Sequence, residues 1–364
     1  VSLKLSLRNV TKEYHGVRVL SVPELDVREG EFFSLLGPSG SGKTTTLKLV
    51  AGFESLTTGS IDVDGRDIAP VPVEKRNIGV VFQNYALFPH MTVAQNIAFP
   101  LETRRVSRGE IARRVDEVLT LVDLTVHRDK NASLLSGGQQ QRVAIGRTLV
   151  FEPSLLLMDE PLGALDRKLR QRLQEELRAL QRKLGITVVY VTHDQDEAMS
   201  MSDRIAIMNH GVVEQLGEPR ALYDHPQTLF VSNFLGDNNT ARATVVAPGS
   251  VRFEAGAVVA APTATLPQGA PVAVTLRPER VRVTVDADAA GALRGTVTDV
   301  VALGAITTYK LQVAGVGGMK ANVQHSGDFF TAGVGAQVGV AWDAEDVHVF
   351  PDEGQSLDDG SRDV

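Results

Sequence analysis

The sequence predicts an α/β fold: a mostly parallel sheet covered on both faces by helices, with a helical stretch within it and a separate all-β domain after it. Three observations carry this. Short apolar runs of strand length alternate with helical patterns as far as about residue 235. A glycine-rich turn at residues 37–45, "GPSGSGKTT", sits between an apolar strand and a helix. Beyond residues 236–240 the chain turns rich in Val, Ala, Gly and Thr with frequent turn signals, which suits a small β-barrel.

The elements follow in order. Residues 1–30 read as short alternating strands, and "EFFSLLG" at 31–37 as a buried strand running into the glycine turn. "SIDVDGRDI" at 60–68 reads as a hairpin turning at Asp64-Gly65, and "NIGVVFQ" at 77–83 as another buried strand. From 91 to 150 the period becomes helical, with Ser107 and Glu110 as a capping box before one apolar face. "SLLLMDE" at 154–160 is a strand ending in two acids. Leu169, Leu173, Leu177, Leu180 and Leu184 form the stripe of a helix packed on a sheet, ended by Gly185. "ITVVYVTHD" is a strand followed by a capped helix, and 204–215 a hairpin. The expected domains are 1–235, with a helical subdomain at about 84–150, and 236–350. Residues 351–364 are expected to be a disordered tail.

Bulk properties narrow the function. The chain has 364 residues, enough for two domains. Its net charge of −7 argues against a dedicated nucleic-acid binder. It has no cysteine, hence no disulfide and no thiolate metal site. The N-terminal residues do not read as a signal peptide, and no apolar run approaches a membrane span, so a membrane role is expected from the surface through partners.

Residues 37–44 match G-x-x-x-x-G-K-[ST] in full. In that motif backbone N–H groups of Gly37, Pro38, Ser39, Gly40, Ser41, Gly42 and Thr45 surround phosphates, apart from proline, which only shapes the turn. Lys43 reaches the β- and γ-phosphates, and the Thr44 hydroxyl ligates Mg²⁺. Asp159 is the further metal ligand and Glu160 the base that polarises water. Read alone, this pair is more readily an acidic helix start before Pro161; beside the glycine turn the functional reading prevails, because the two motifs complete each other. His193, at a strand's carboxyl end, is a γ-phosphate contact, and Gln83, at another, a polar arm near metal and water.

Ser136, Gly137, Gly138 and Gln139 pose a second question. S-x-x-Q is a plain capping box. Two glycines in its first turn, each costing up to about 1 kcal/mol against alanine in a helix interior, suit a backbone that something approaches closely. Because the first turn already supplies a phosphate cradle, this one is expected to cover the ATP of a second copy, in a two-fold pair.

Taken in order, 37–45, Gln83, "LSGGQQQR" at 135–142, "LLLMDEP" at 155–161, "GALD" at 163–166 and His193 resemble the motif set of ATP-binding-cassette (ABC) transporter ATPases over residues 1–235. The resemblance implies an α/β P-loop NTPase fold, a mostly parallel sheet with an antiparallel β subdomain and a helical subdomain, followed by a C-terminal all-β OB-like barrel, and ATP hydrolysis with Mg²⁺. It places Tyr14 against adenine and Asp166 at a homodimer interface, and gives residues 84–134 to a two-part membrane permease. It implies peripheral association with the cytoplasmic face of the inner membrane and an extracytoplasmic solute-binding protein as an indirect partner. "VFQNYALFPHMTVAQNIAFPL" at 81–101 and "LRPERVRV" at 276–283 are similar to importer ATPases with a C-terminal transport-associated OB-type (TOBE) barrel. "NYALFPHMTV" and "FLGDNN" lean to the polyamine branch, with sugar, ferric iron and sulfate importers as alternatives. Phe88, Pro89 and Met91 are expected to be exposed for docking.

Nucleic-acid ATPases of chromosome maintenance share such a cassette, but residues 45–134 carry no long heptad pattern. Translation-associated members carry two cassettes, and this chain has one. From 240 to 364 there are 9 basic and 14 acidic residues, net −5, a poor surface for an oligonucleotide. A regulatory or dimer-stabilising barrel fits better.

Overall fold

The structure, a computed structural model, describes residues 2–163, 166–263, 266–325 and 330–352, with Gly354 and Leu357. The chain divides into two compact units between Leu222 and Tyr223.

The first unit begins with β1 (Leu3–Tyr14) and β2 (Val17–Arg28), two twelve-residue strands where several short ones were expected. They pair along almost their whole length, with register shifts at Leu3/Leu5 and Lys12/Glu13, and the alternation of β1 slips between buried Leu7 and Val10, where Asn9 sits at φ +49°. After β3 (Phe32–Leu36) and α1 (Lys43–Ala51) come β4 (Thr58–Val63) and β5 (Arg66–Asp67). β2-β1-β4-β5 is an antiparallel sheet.

β6 (Ile78–Val81) leads into the helical region of α2 (Val93–Thr103), α3 (Arg108–Leu121) and α4 (Gly137–Leu149). Then follow β7 (Leu155–Asp159), α5 (Arg167–Leu184), β8 (Thr187–Thr192), α6 (Gln195–Met201), β9 (Arg204–Asn209) and β10 (Val212–Gly217). The main sheet runs β10-β9-β3-β8-β7-β6, parallel from β9 to β6 with β10 antiparallel at its edge. Its inner strands β9, β3, β8 and β7 are buried along nearly their whole length, as a sheet covered on both faces requires.

Two local expectations change. Ser107 caps α3 by accepting from the Glu110 N–H, but the reciprocal half of the box is missing. The Glu110 carboxylate is engaged by Arg113 and Arg114 instead, charge-assisted contacts that outcompete a neutral backbone donor. In the α5 stripe Leu173 and Leu177 are buried, whereas Leu184 reaches past the sheet and is exposed.

The second unit holds the end of α7 (Pro219–Asp224), then α8 (Leu229–Phe234) and, among the described residues, ten strands. The division lies before residue 236 because α8 belongs with this unit's sheet: Ser232 Oγ and Thr275 Oγ1, both buried, share a hydrogen bond of 2.9 Å. The strands are β11 (Asn239–Ala247), β12 (Ser250–Phe253), β13 (Val258–Ala260), β14 (Pro271–Leu276), β15 (Arg282–Thr284), β16 (Leu293–Ala302), β17 (Ile306–Val313), β18 (Gly317–Gln324), β19 (Gln337–Ala341) and β20 (Val347–Pro351). They form two sheets, β13-β12-β11-β14-β20 and β15-β19-β16-β17-β18, around one core that includes Val272, Val297, Leu311 and Val340. Pro351 closes β20 and Asp352 pairs with Arg242. Most of the expected tail beyond them lies outside the described residues.

Candidate nucleotide site

The parallel strands end on one edge of the main sheet, and β3, β8, β7 and β6 each deliver a site residue. Leu36 of β3 is level with Thr192 of β8, Asp159 of β7 with Val191 of β8, and Val81 of β6 with Met158 of β7. The residues just beyond the first three ends are Gly37, His193 and Glu160, and Gln83 follows two places after Val81. This is the edge where open α/β sheets collect ligands.

The glycine turn is shaped by close approach. A Cβ on Gly37 would lie 2.2 Å from the Met208 carbonyl oxygen, and Gly42, at φ +100°, is the N-cap of α1. Lys43 is buried and donates to the carbonyls of Gly37 and Pro38, 2.8 Å each. Burial pushes its amine below the usual lysine range, against the pull of Glu160 and Asp159. Thr44 Oγ1 donates to Asp159 Oδ1 at 3.1 Å. Burial raises the Asp159 carboxyl, opposed by that hydrogen bond. A hydroxyl and a carboxylate side by side at the start of a helix are hard oxygen donors of the kind Mg²⁺ takes, so the residues fit that ion.

Glu160 is the convergence point. Its backbone sits at φ +45°, a costly conformation for a residue with a Cβ, held by its N–H bonded to the Val191 carbonyl at 3.0 Å. Its carboxylate meets His193 Nδ1 at 3.1 Å, and Gln83 Nε2 reaches to 3.5 Å on the other oxygen.

The remaining sequence-predicted residues stand apart from this cluster. No hydrogen bond or ion pair among the described residues joins Tyr14, Ser136, Gln139 or Asp166 to the glycine turn. Tyr14 ends β1, exposed, with Lys12 Nζ 4.7 Å from its ring centroid. Asp166 is the N-cap of α5, accepting from the Leu169 N–H at 3.0 Å. Ala164 and Leu165 of "GALD" lie outside the described residues. Ser136 and Gln139 form the full capping box on α4, and Ser136 is exposed. Gly138 is buried, and a Cβ there would press on Leu173 at 3.3 Å and Leu169 at 3.4 Å. Packing of α4 on α5 therefore also limits the size of this residue, beside the close approach expected of an outside ligand. Phe88 is half-buried against Phe99, ring centroids 4.5 Å apart, rather than exposed; Pro89 is exposed and Met91 half-buried.

Sequence reasoning missed Arg147, which donates to the carbonyls of Tyr85 and Ala86 and so holds the turn just after Gln83. It also missed His127, 3.0 Å from Gln139. Neither belongs to a motif, and only the tertiary fold brings them in.

Residues 20–163 match the ABC transporter family and residues 274–350 the TOBE domain. Among curated relatives, a protein of Thermobifida fusca named spermidine/putrescine import ATP-binding protein PotA is 47% identical over 358 residues, 95% of this chain and 93% of the relative. Its namesake in Ruegeria pomeroyi is 44% identical over 356 residues, 96% of each. Among solved structures, cbiO1 of Clostridium perfringens, part of the ABC transporter complex cbiONQ, is 30% identical with a TM-score of 0.57, covering 61% of this chain and 91% of that one. A dimeric ATP-binding cassette in a post-hydrolysis state with ADP and Pi is 35% identical with a TM-score of 0.53, covering 59% and 99%. With the glycine turn, the acidic strand end and the capped Ser136 helix in these positions, the chain belongs to the ATP-binding subunits of ABC transporters that carry a C-terminal TOBE domain.

Proposed function

We propose that the chain is the ATP-hydrolysing subunit of an ABC importer, that two copies close around two ATP molecules, and that their closure drives a membrane permease taking up a polyamine. No helix among the described residues is long and apolar enough to cross a membrane, so on this reading the chain acts at the cytoplasmic face through the permease. The polyamine assignment rests on the relatives' names. The observation that carries the hydrolytic reading is the Glu160 carboxylate, held between His193 and Gln83 beside the Thr44–Asp159 pair.

The chain's own groups divide the work as follows. Lys43 exchanges the carbonyls of Gly37 and Pro38 for the β- and γ-phosphates of ATP. The N–H groups of residues 39–45 surround the phosphates at the start of α1, where the helix dipole favours negative charge. Thr44 and Asp159, with Gln83 beside them, would hold Mg²⁺, which supplies charge neutralisation on the phosphates when bound. Glu160 accepts the proton of the attacking water, and its partners keep the carboxylate aimed. A placed base of this kind contributes about 10²–10⁴-fold. His193 donates to the γ-phosphate. The partner's Ser136 turn, exposed and capped, covers the same phosphate from the other side, so the site is complete only in the closed pair. Tyr14 stacks on adenine and Asp166 lies at the pair's interface. Gln83 links the site to residues 84–134, which face the permease, and the C-terminal domain is regulatory or dimer-stabilising.

The test is uptake of radiolabelled spermidine in cells whose own copy of this gene is deleted. The wild-type chain restores uptake and Glu160→Gln does not. Uptake that survives the deletion rules out the polyamine assignment. Restoration by Glu160→Gln rules out the hydrolytic role.

A further inference from the structure

The turn that precedes the Ser136 helix carries a histidine whose protonation can be deduced. Residues Thr125–His127 form one turn of 3₁₀ helix, tied by the His127 N–H to the Leu124 carbonyl at 2.9 Å. The chain after it is held to the start of α2: the N–H groups of Val93 and Ala94 donate to the carbonyls of Lys130 and Arg128, both at 3.0 Å. Gln140 Nε2 donates to the Ala132 carbonyl at 3.2 Å, fastening the same segment to α4. The backbone carrying the His127 ring is thus anchored on two sides.

The ring meets the Ser136–Gln139 turn, the signature turn of the resemblance, through its Nε2. Ser136 N–H donates to Gln139 Oε1 at 3.1 Å, closing the capping box. A backbone N–H can only donate, so the amide atom facing it must be the oxygen. The other amide atom, the NH₂ donor Nε2, then faces His127 Nε2 at 3.0 Å. That ring nitrogen must be an acceptor, and its proton sits on Nδ1.

We propose that His127 is a positioning residue for ATP hydrolysis: as the neutral Nδ1–H tautomer it locks the Gln139 amide so that its oxygen holds the Ser136 N–H, and thereby sets the Ser136 turn that covers the partner subunit's nucleotide. Without the acceptor the amide is free to rotate, and the reciprocal half of the cap is lost. The kinetic part of this proposal rests on the sandwich reading above; the tautomer does not.

The test uses the full-length chain and two substitutions. His127→Leu keeps an apolar side chain of similar reach and removes the acceptor. His127→Gln restores an acceptor at about the position of the ring Nε2. His127→Leu lowers kcat roughly three- to tenfold, the factor a neutral hydrogen bond carries. Equilibrium binding of ATP to the dilute chain stays unchanged, and His127→Gln recovers most of the rate. In ¹⁵N-histidine spectra, the resonance that disappears in His127→Gln shows the Nδ1–H pattern in the wild type and loses it in Gln139→Ala. Equal loss in the Leu and Gln variants, or an Nε2–H pattern in the wild type, overturns the proposal. Ser136→Ala separates the two levels. If it turns over at the wild-type rate, the sandwich reading fails and the kinetic role falls with it, whereas a normal Ser136→Ala defect with a silent His127→Leu refutes the positioning role alone.

Discussion

Glu160 Oε1 and His193 Nδ1 stand 3.1 Å apart at the carboxyl ends of two neighbouring parallel strands, β7 and β8. The contact is a consequence of register. Asp159 is level with Val191, so the residue after each strand turns toward the same point. Glu160 pays for this with its positive φ, and the Val191 carbonyl holds it there. Glu160→Gln is expected to cut ATP hydrolysis by at least ~10²-fold while sparing nucleotide binding. His193→Ala should also slow turnover, and because the two groups touch, the double variant should lose less than the product of the single losses. Steady-state ATPase assays of the three variants, with ATP binding measured in parallel, check both statements. Unchanged turnover in Glu160→Gln removes it from the base role.

The two glycines of the signature turn separate by experiment. Gly138 faces Leu169 and Leu173 of its own chain, through flexible side-chain ends. Gly138→Ala gains about 1 kcal/mol of helix propensity and loses a similar amount to the tighter contact, so its thermal midpoint should stay near the wild type. Gly138→Leu overfills the space and should destabilise by about 1–3 kcal/mol. A bulky residue at Gly137, which is half-exposed, should instead abolish ATPase activity in a chain that melts normally and still binds ATP as a monomer. Thermal melts beside ATPase rates distinguish the two. A Gly137 variant that loses monomer binding would mean that this helix serves its own chain's nucleotide.

How far the site was legible follows from the range of the interactions. The glycine turn, its flanking strand and helix, and the Ser136–Gln139 box are local patterns, and each stands where its spacing placed it. Asp159 and Glu160 were readable as a strand end. That Glu160 turns toward His193 was not, because it depends on the register of β7 on β8 and on one backbone angle. Helix propensity says only that Gly138 is costly; its contact with Leu169 and Leu173 of α5 depends on the tertiary fold. The capping box at Ser107 failed since Arg113 and Arg114, on the next turn, claim Glu110. The boundary near residue 236 was placed by composition, while Ser232, ahead of it, is buried against Thr275.

The antiparallel sheet of the first unit carries a pH-dependent link. Arg8 grips Asp26 across β1 and β2 with hydrogen bonds of 2.7 and 2.9 Å, and Ser6 donates to the same carboxylate at 2.7 Å. The Arg8 guanidinium, first, and the Ser6 hydroxyl hold the Asp26 carboxyl below its ordinary value of 3.8. A depressed carboxyl stabilises the fold fully above the unfolded value and loses that contribution as pH falls through the folded one. Thermal midpoints should therefore drop more steeply below pH 4 in the wild type than in Asp26→Asn, with a difference at pH 7 of about 1 kcal/mol for this partly exposed pair. Parallel slopes in the two proteins would show that the pair is not coupled to folding.

Arg76 supports the catalytic edge from beneath. Its buried guanidinium donates to the carbonyls of Leu49 and Val50 at the end of α1, 2.9 and 2.8 Å, and to those of Val71 and Ala69, 2.8 and 3.2 Å. The carbonyls at a helix end have no partner within the helix, and here a cation satisfies two of them and complements the dipole. The same side chain lies against Gly52, where a Cβ would come within 2.6 Å of the guanidinium, so the C-cap of α1 and the approach to β6 close around it. α1 begins with Lys43 and β6 leads to Gln83, so Arg76 ties the phosphate turn to the arm that reaches Glu160. Arg76→Met fills much of the volume and removes the guanidinium donor from four carbonyls, of which Leu49 keeps the Gly52 N–H at 3.2 Å, an expected loss of about 2–4 kcal/mol. Arg76→Lys can reach only some of them and should fall between, because an ammonium lacks the planar fork. Denaturant unfolding of the three proteins checks the order. If Arg76→Met unfolds at the wild-type midpoint, the four hydrogen bonds are replaced by water at no cost and the guanidinium is not what holds α1 to β6.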